Sequence, residues 1–431
     1  MKSYKNTLPL VMIICSFILV TSASAVSNSK KGGLSPNATS SSAGFLGPEF
    51  HICCYSEVHQ KNPAAVYNRI RNEYLVVHHG ENSSKRYISG ARISPGLGQV
   101  SIFLVSDASS YDCCLYPDAA YSWTDDKYLV VWQQYNNSQS RWEIWGRFVP
   151  WDGTDFTIPV IKIADSVGHN LKFPKVSWNS FRNEFMVVWQ EETTAGLLSK
   201  IGFKRIAANG SFPGSGYVRQ VGFPANPNIT YNVATDQYLA VWSEVTTAHY
   251  IDIYGARLNY QGVIQTQVFP ISQQDDEQQF SSATTNSQDR FMVTWQHYDA
   301  YWGDWDIYGK FLDVNGNQVG NQVWITSSFD DETQPDVAAN GLSDQYLVVY
   351  QRNTLSGESI EAKLYNGNGD QLNDFEISPG GFGDNRYPAV GTHLSGYFVT
   401  YQWQSFEPGS INDIYGRIWS PHGVFLPSIF R

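Results

Sequence analysis

The sequence predicts an all-β protein, a seven-bladed β-propeller of four-stranded antiparallel blades. Two observations carry the prediction. An apolar motif recurs seven times: "YLVV" from Tyr74, Tyr128 and Tyr346, "FMVV" from Phe185, "YLAV" from Tyr238, "FMVT" from Phe291 and "YFVT" from Tyr397. The intervals are 54, 57, 53, 53, 55 and 51 residues, and self-similarity near fifty marks a solenoid, propeller or array. The motif is also apolar on both faces, whereas a strand with one wet face alternates. A sheet sandwiched between two like sheets accounts for that, and radial four-stranded blades supply the sandwich.

The chain opens with a basic segment, Met1-Lys2 and Lys5. It runs apolar from Leu8 to Val20 and ends in the small residues Ala23-Ser24-Ala25. That is the pattern of a removable secretory signal over 1–25, too short for a membrane span. Loss of Lys2 and Lys5 leaves 27 basic against 40 acidic residues and moves the formal charge from −11 to −13. A chain so acidic lacks the basic face that nucleic acid requires. Charged residues are 16% and aromatics 15%, which is the composition of a folded domain. Residues 26–48 differ, being rich in Ser, Gly, Asn and Lys, and read as a flexible leader before a single domain over 49–431. A secreted, extracellular monomer is expected.

Within each repeat the parts come in one order. A first strand such as "PKVSWN" from Pro174 or "PNITYN" from Pro227 precedes a turn rich in Asn, Asp and Ser. The apolar second strand follows, usually closed by Trp132, Trp189, Trp242, Trp295, Tyr350 or Tyr401. A polar loop leads to a third strand, "IYGARL" from Ile253 or "IYGKFL" from Ile307, and a Gly-containing turn leads to a fourth, "VFPIS" from Val268. Four strands joined by short turns make a meander. The turns "DVNGNQ" (Asp313–Gln318) and "NGNGD" (Asn366–Asp370) lack the carboxylate series of a Ca²⁺ loop and read as hairpins.

The last repeat, "YGRIWSPHGVFLPSIFR", ends at Arg431 before a fourth strand can form. The first repeat has a surplus strand ahead of it, "EFHIC" from Glu49, which resembles "VFPIS". An N-terminal strand completing the C-terminal blade closes the ring and removes a free sheet edge.

Cys15 leaves with the signal, so four cysteines remain: Cys53, Cys54, Cys113 and Cys114. An even count in an exported chain suggests disulfides. Both pairs are expected between a fourth strand and the next first strand, with cross-links between pairs or vicinal bonds as the alternatives. Five sequons, at Asn37, Asn82, Asn136, Asn209 and Asn228, fit N-glycosylation of an exported chain.

The loops between second and third strands share a face with the blade-to-blade connections, and side-chain variety collects there. The fifth repeat has "QHYDAYWGDWDIYG", with Tyr298, Tyr301, Trp302, Asp304 and Trp305 as candidate ligand contacts. Aromatic rings beside carboxylates suit a sugar, whose C–H face stacks on the ring while polar groups fix its hydroxyls. Trp302 is expected exposed at the loop tip and Trp305 buried beside the strand, with Asp306 structural. The flanking runs Asp275, Asp276, Glu277 and Asp330, Asp331, Glu332 suit Ca²⁺, which takes six to eight oxygens. His78-His79 stands where other repeats have Trp and reads as a packing variation with an exposed edge.

No G-x-S-x-G elbow, H-E-x-x-H helix or phosphate loop is present. The units "YLVVWQ" and "DIYGRI" resemble repeats of uncharacterised secreted and surface proteins, many of them bacterial. That resemblance covers nearly all of 49–431 and implies a propeller without a known activity. Three functions fit: an extracellular module binding glycan or protein through the loop-rich face, a polysaccharide hydrolase or lyase using acidic-face carboxylates, and a structural matrix protein.

Overall fold

The second strand of each repeat is buried on both sides, and its two faces serve different neighbours. In the computed structural model Leu129 and Val131 join a core with Phe185, Val187 and Trp189 of the next repeat. Tyr128, Val130 and Trp132 join a core with Leu75 and Val77 of the preceding one. The same split recurs around the molecule, and the last core puts Phe398 of the seventh repeat against Tyr74 and Val76 of the first. This is why the motif does not alternate: period-two alternation survives, but both faces are interior.

The structure describes residues 45–52, 58–83, 85–95, 98–106, 114–155, 157–196, 198–246, 250–286, 289–380, 383–393, 396–407 and 409–420. The expected signal, Asn37, Cys53, Cys54 and Cys113 lie outside them. Seven antiparallel sheets of consecutive strands span 59–104, 114–164, 169–219, 223–272, 278–324, 331–378 and 383–420, blades 1 to 7. First strands lie beside first strands of adjacent blades, and that of blade 7 (Gly383–His393) lies beside that of blade 1 (His59–Asn68), so they form a ring. None of the described residues forms a helix long and apolar enough to cross a membrane.

Among the described residues blade 7 supplies three strands of its own, and the N-terminal segment pairs with the third of them, Asn412–Ser420. Phe50 lies opposite Gly416 and His51 opposite Tyr415. In blade 4 Phe269 lies opposite Gly255 and Pro270 opposite Tyr254, so "EFHI" occupies the register of "VFPI". Ile52, fully buried, takes the place of Ile271 and donates its N–H to Ile414 O at 2.8 Å. Pairing begins before the expected leader boundary, with Phe45 opposite Ser420. The Glu49 carboxylate accepts bonds from the Tyr401 hydroxyl and from Ser378 Oγ, the latter at 3.1 Å.

Two recurrent side chains join consecutive blades. The Gln after the closing aromatic reaches the next first strand, where a β-bulge holds one residue at φ between 50° and 54°. Gln133 Oε1 accepts the N–H of Phe173 at 3.0 Å, Gln190 that of Asn226 at 3.2 Å and Gln296 that of Gln334 at 3.1 Å. The bulge frees that N–H from the ladder, and the carboxamide satisfies it. A basic residue of the third strand donates to a carbonyl in or just after the fourth strand of the preceding blade. Arg147 reaches Val105 O at 3.0 Å, Lys363 reaches Ile325 O at 2.6 Å, and Lys204 and Lys310 reach Ile163 O and Ile271 O.

His78 and His79 are both buried, at 0% and 3% exposure, which corrects the expectation of an exposed edge. They sit within a second strand enclosed like the other six. Cys114 is the first residue of a first strand, Cys114–Ser122, and fully buried, so it lies inside the strand rather than in the connection before it.

Candidate functional site

The blade-5 hairpin joins the second strand, Arg290–Asp299, to the third, Asp304–Asp313. Its tip is held by its own backbone. Asp299 Oδ1 accepts the N–H groups of Tyr301 at 2.9 Å and Trp302 at 3.2 Å, and Gly303 N–H bonds Asp299 O at 2.7 Å. Gly303 has φ 79°, a left-handed turn that favours glycine. Tyr301 is 84% exposed at this tip and Trp302 39%, their rings edge to face at 4.9 Å.

Phe329, from the connection to blade 6, stands edge to face with Trp302 at 5.6 Å and is 73% exposed. Three aromatic rings from two chain segments thus form one open cluster. Trp302 stands exposed at the tip, as the sequence predicts, whereas Phe329, next to the acidic run, gives no sequence signal that it joins the cluster. Trp305 is half-buried, beside Tyr298 at 5.2 Å, with its N–H donated to Asp331 Oδ1 at 3.0 Å. Asp304 and Asp306 are buried.

The six carboxylates flanking the hairpin form two separate groups with other duties. Asp276 Oδ2 accepts the N–H of Ala300 at 3.3 Å, and Glu277 O that of Tyr298 at 2.8 Å, so this connection clasps the hairpin; Asp275 is exposed. Asp330 is paired with Arg352 at 2.9 Å. Glu332, 2% exposed, takes a bond from Ser328 Oγ and lies 3.7 Å from the same guanidinium, which also meets Glu361 at 2.9 Å. Burial pushes the Glu332 carboxyl up to about 7 despite Ser328 and Arg352. Among the described residues no three His, Cys, Asp or Glu side chains stand together as a metal cage.

His297, behind the hairpin, stacks on Tyr308 at 4.7 Å, and burial lowers its pKa against the pull of Asp276 and Asp299. On blade 1 an open depression of about 460 Å³ is lined by His59, Glu81, Asn82, Ser83 and Arg86. Of the sequons, Asn82 and Asn209 are exposed, the Asn136 carboxamide turns inward to Glu143 at 2.9 Å, and Asn228 stands on the first strand of blade 4.

No protein-family model matches the chain, nor does any curated protein sequence. Solved structures do. A protein of unknown function from Dyadobacter fermentans superposes with a TM-score of 0.52 at 11% identity, over 88% of this chain and 99% of that one. The β-propeller domain of the Trilobed protease from Pyrococcus furiosus superposes with a TM-score of 0.50 at 10% identity, over 85% and 94%. At these identities the likeness establishes the propeller fold alone.

Proposed function

We propose that this protein is an extracellular binding module that recognises a glycan through the connection face of its propeller. The observation that carries the reading is the cluster of Tyr301, Trp302 and Phe329. Exposed rings at a hairpin tip cost solubility and contribute little to a core, so a ligand gives them a reason to be there. The tip is already shaped by Asp299 and Gly303, so little ordering entropy is lost when a sugar stacks on it. Ca²⁺ is not required by this reading, because Arg352 and backbone N–H groups already engage most of the nearby carboxylates. In the second acidic run Asp330 is paired with Arg352 and Asp331 accepts the N–H of Trp305, so these two carboxylates are engaged in holding the fold.

A glycan array run on the full chain with and without EDTA tests the proposal. Binding is expected in both conditions and should weaken by about 1 kcal/mol or more in Trp302→Ala and Phe329→Ser, with unfolding midpoints little changed. An array that stays silent, or binding untouched by both substitutions, removes this site.

A further inference from the structure

At six blade boundaries a short polar side chain, at or just past the end of a first strand, bonds the next blade. Asn68 Nδ2 donates to Asp126 Oδ1 at 3.3 Å, Asn179 to Asp236 Oδ1 at 3.0 Å, Asn232 to Thr285 Oγ1 at 2.9 Å and Asn286 to Asp344 Oδ1 at 3.1 Å. Ser122 Oγ donates to Asn183 Oδ1 at 2.9 Å, and Asn340 Nδ2 to His393 O at 3.1 Å. The boundary between blades 7 and 1 has a histidine at this place. The ring of His393, the last residue of its first strand, stands against Tyr67 at 6.0 Å and Tyr74 at 6.1 Å of blade 1.

Other histidines gather at the same boundary. Asn412 N–H of blade 7 donates to His59 Nδ1 of blade 1 at 3.2 Å. That bond requires a neutral imidazole, because a protonated ring has no lone pair to accept with. On the second strand of blade 1, Tyr74 and Val76 share a core with Phe398 and Ile414 of blade 7 and Ile52 of the closing strand. Period-two alternation puts His78 on that face, with Ser89 opposite it and Gln60 beside them, opposite Gly80. Gln402 alternates with Phe398 and meets the boundary from the other side. Gln60, His78, Ser89 and Gln402 are all buried. Neither ring nitrogen of His78, neither carboxamide atom of Gln60, nor Ser89 Oγ or Gln402 Oε1 has a hydrogen-bond partner among the described residues.

The groups facing His78 are thus uncharged, and those against His393 are the two tyrosines. The nearest charges of blade 1, Lys61, Glu81 and Arg86, surround His79 on the opposite face of the strand, against blade 2. On blade 7 the charged groups are Glu49, bonded to Tyr401, Arg417, bonded to Gly47 O and Ile377 O, and Asp413, which lies 3.6 Å from His51 Nε2. Burial lowers the pKa of His78 and of His393 from 6.5 to about 4. Both are neutral in the closed ring, and an open boundary takes the proton first. Closure is therefore at full strength above pH 6.5 and weakens as pH falls toward 4. His51 works in the other direction, since its charged ring is attracted to the Asp413 carboxylate. Acid holds the closing strand on blade 7 while it loosens blade 1.

We propose that the boundary between blades 7 and 1 is an acid-opened joint, at which protonation of His59, His78 and His393 parts the two blades while the N-terminal strand stays on blade 7. Protonated His59 releases the Asn412 N–H. A charged His78 or His393 needs water that the closed boundary excludes, and opening admits it. The Asn or Ser at the place of His393 in the other blades does not titrate, so their links persist in acid. The change is local, because the remaining boundaries keep the blades packed in a row.

Hydrogen exchange of the full chain, read by mass spectrometry at pH 7.5 and pH 5 and corrected for intrinsic rates, tests it. Blades 1 and 7 each lose a packed neighbour when the joint opens. Segments 59–81 and 383–405 are expected to lose protection about tenfold or more at pH 5 relative to 223–245 of blade 4, with protection of 45–52 retained. His393→Asn installs the residue most other blades use, and His78→Tyr the residue that Tyr350 and Tyr401 supply at the equivalent place. The two together should remove most of that loss. Equal loss in every blade, no loss, loss at 45–52 ahead of 59–81, or a parent-like loss in the double variant overturns the joint. Should the double variant not fold, the parent's profile and His393→Asn alone decide by the same criteria.

Discussion

Gln133 Oε1 accepts the backbone N–H of Phe173 at 3.0 Å across the boundary between blades 2 and 3. The same boundary carries the Lys204 bond to Ile163 O. Boundaries 5–6 and 6–7 also have both kinds of link, the latter through Gln351 to Tyr387 at 3.4 Å and Arg417 to Ile377 O at 2.5 Å. The boundary between blades 7 and 1 has neither: Gln402 Oε1 is unpartnered and Ala91 stands where a Lys or Arg would donate. Its joints are the Ile52 core and the pairing of Asn412 N–H with His59 Nδ1 at 3.2 Å.

The Gln links are therefore expected to matter singly. Gln133→Ala should lower stability by about 1–3 kcal/mol, since it strands a buried N–H. Ser243→Ala, at the equivalent place in blade 4, removes a buried hydroxyl that already has no partner and should be neutral or slightly stabilising. Urea unfolding of the two variants beside the parent separates them, and equal losses would contradict the assignment.

The 7–1 boundary should be where the ring opens first. Deleting 26–55 removes Phe50, His51 and Ile52 from blade 7 and is expected to destabilise the whole domain. Deleting 26–44 leaves every described pair intact and should be almost silent. Matching melting curves for the two truncations and the full chain would refute the role given to this strand.

Glu332 makes stability depend on pH in one direction. Its carboxyl titrates near 4.5 unfolded and about 7 folded, so the native state binds the extra proton between those values. Its contribution is complete below pH 4.5 and is lost as pH rises through 7. Glu332→Gln should remove that slope and gain on the order of 1–3 kcal/mol at pH 8 relative to the parent. Denaturation midpoints at pH 5 and pH 8 measure it; a parent-like slope in the variant would contradict the assignment.

His79 acts with the opposite sign. Burial lowers its pKa from 6.5 to about 3, so the unfolded chain binds the proton first and stability falls as pH drops below 6.5. His79→Gln should flatten this fall by at most about 2 kcal/mol at pH 5. It also offers the carboxamide that other blades use at this position. Loss of stability at every pH would show that the Gln cannot reach the next strand.

Much of this was legible along the chain. Two-faced runs such as Tyr128–Val131 announce a sheet enclosed on both sides, and their spacing sets the blade count. "EFHI" matches "VFPI" because a fourth strand needs the same side chains wherever in the chain it begins. Trp302 was recognisable because a hairpin tip is a local structure. The other half of its cluster was not: Phe329 arrives from a connection whose path depends on the neighbouring blade. The pairing of Lys175 with Asp118 at 3.8 Å was equally hidden, because the two sit at like positions in separate repeats and nothing in either repeat says that its first strand is innermost. Local patterning determines the strand and which faces are apolar. Only closing the ring decides which polar side chains from separate blades converge, because burial of the seven inter-blade cores sets that geometry.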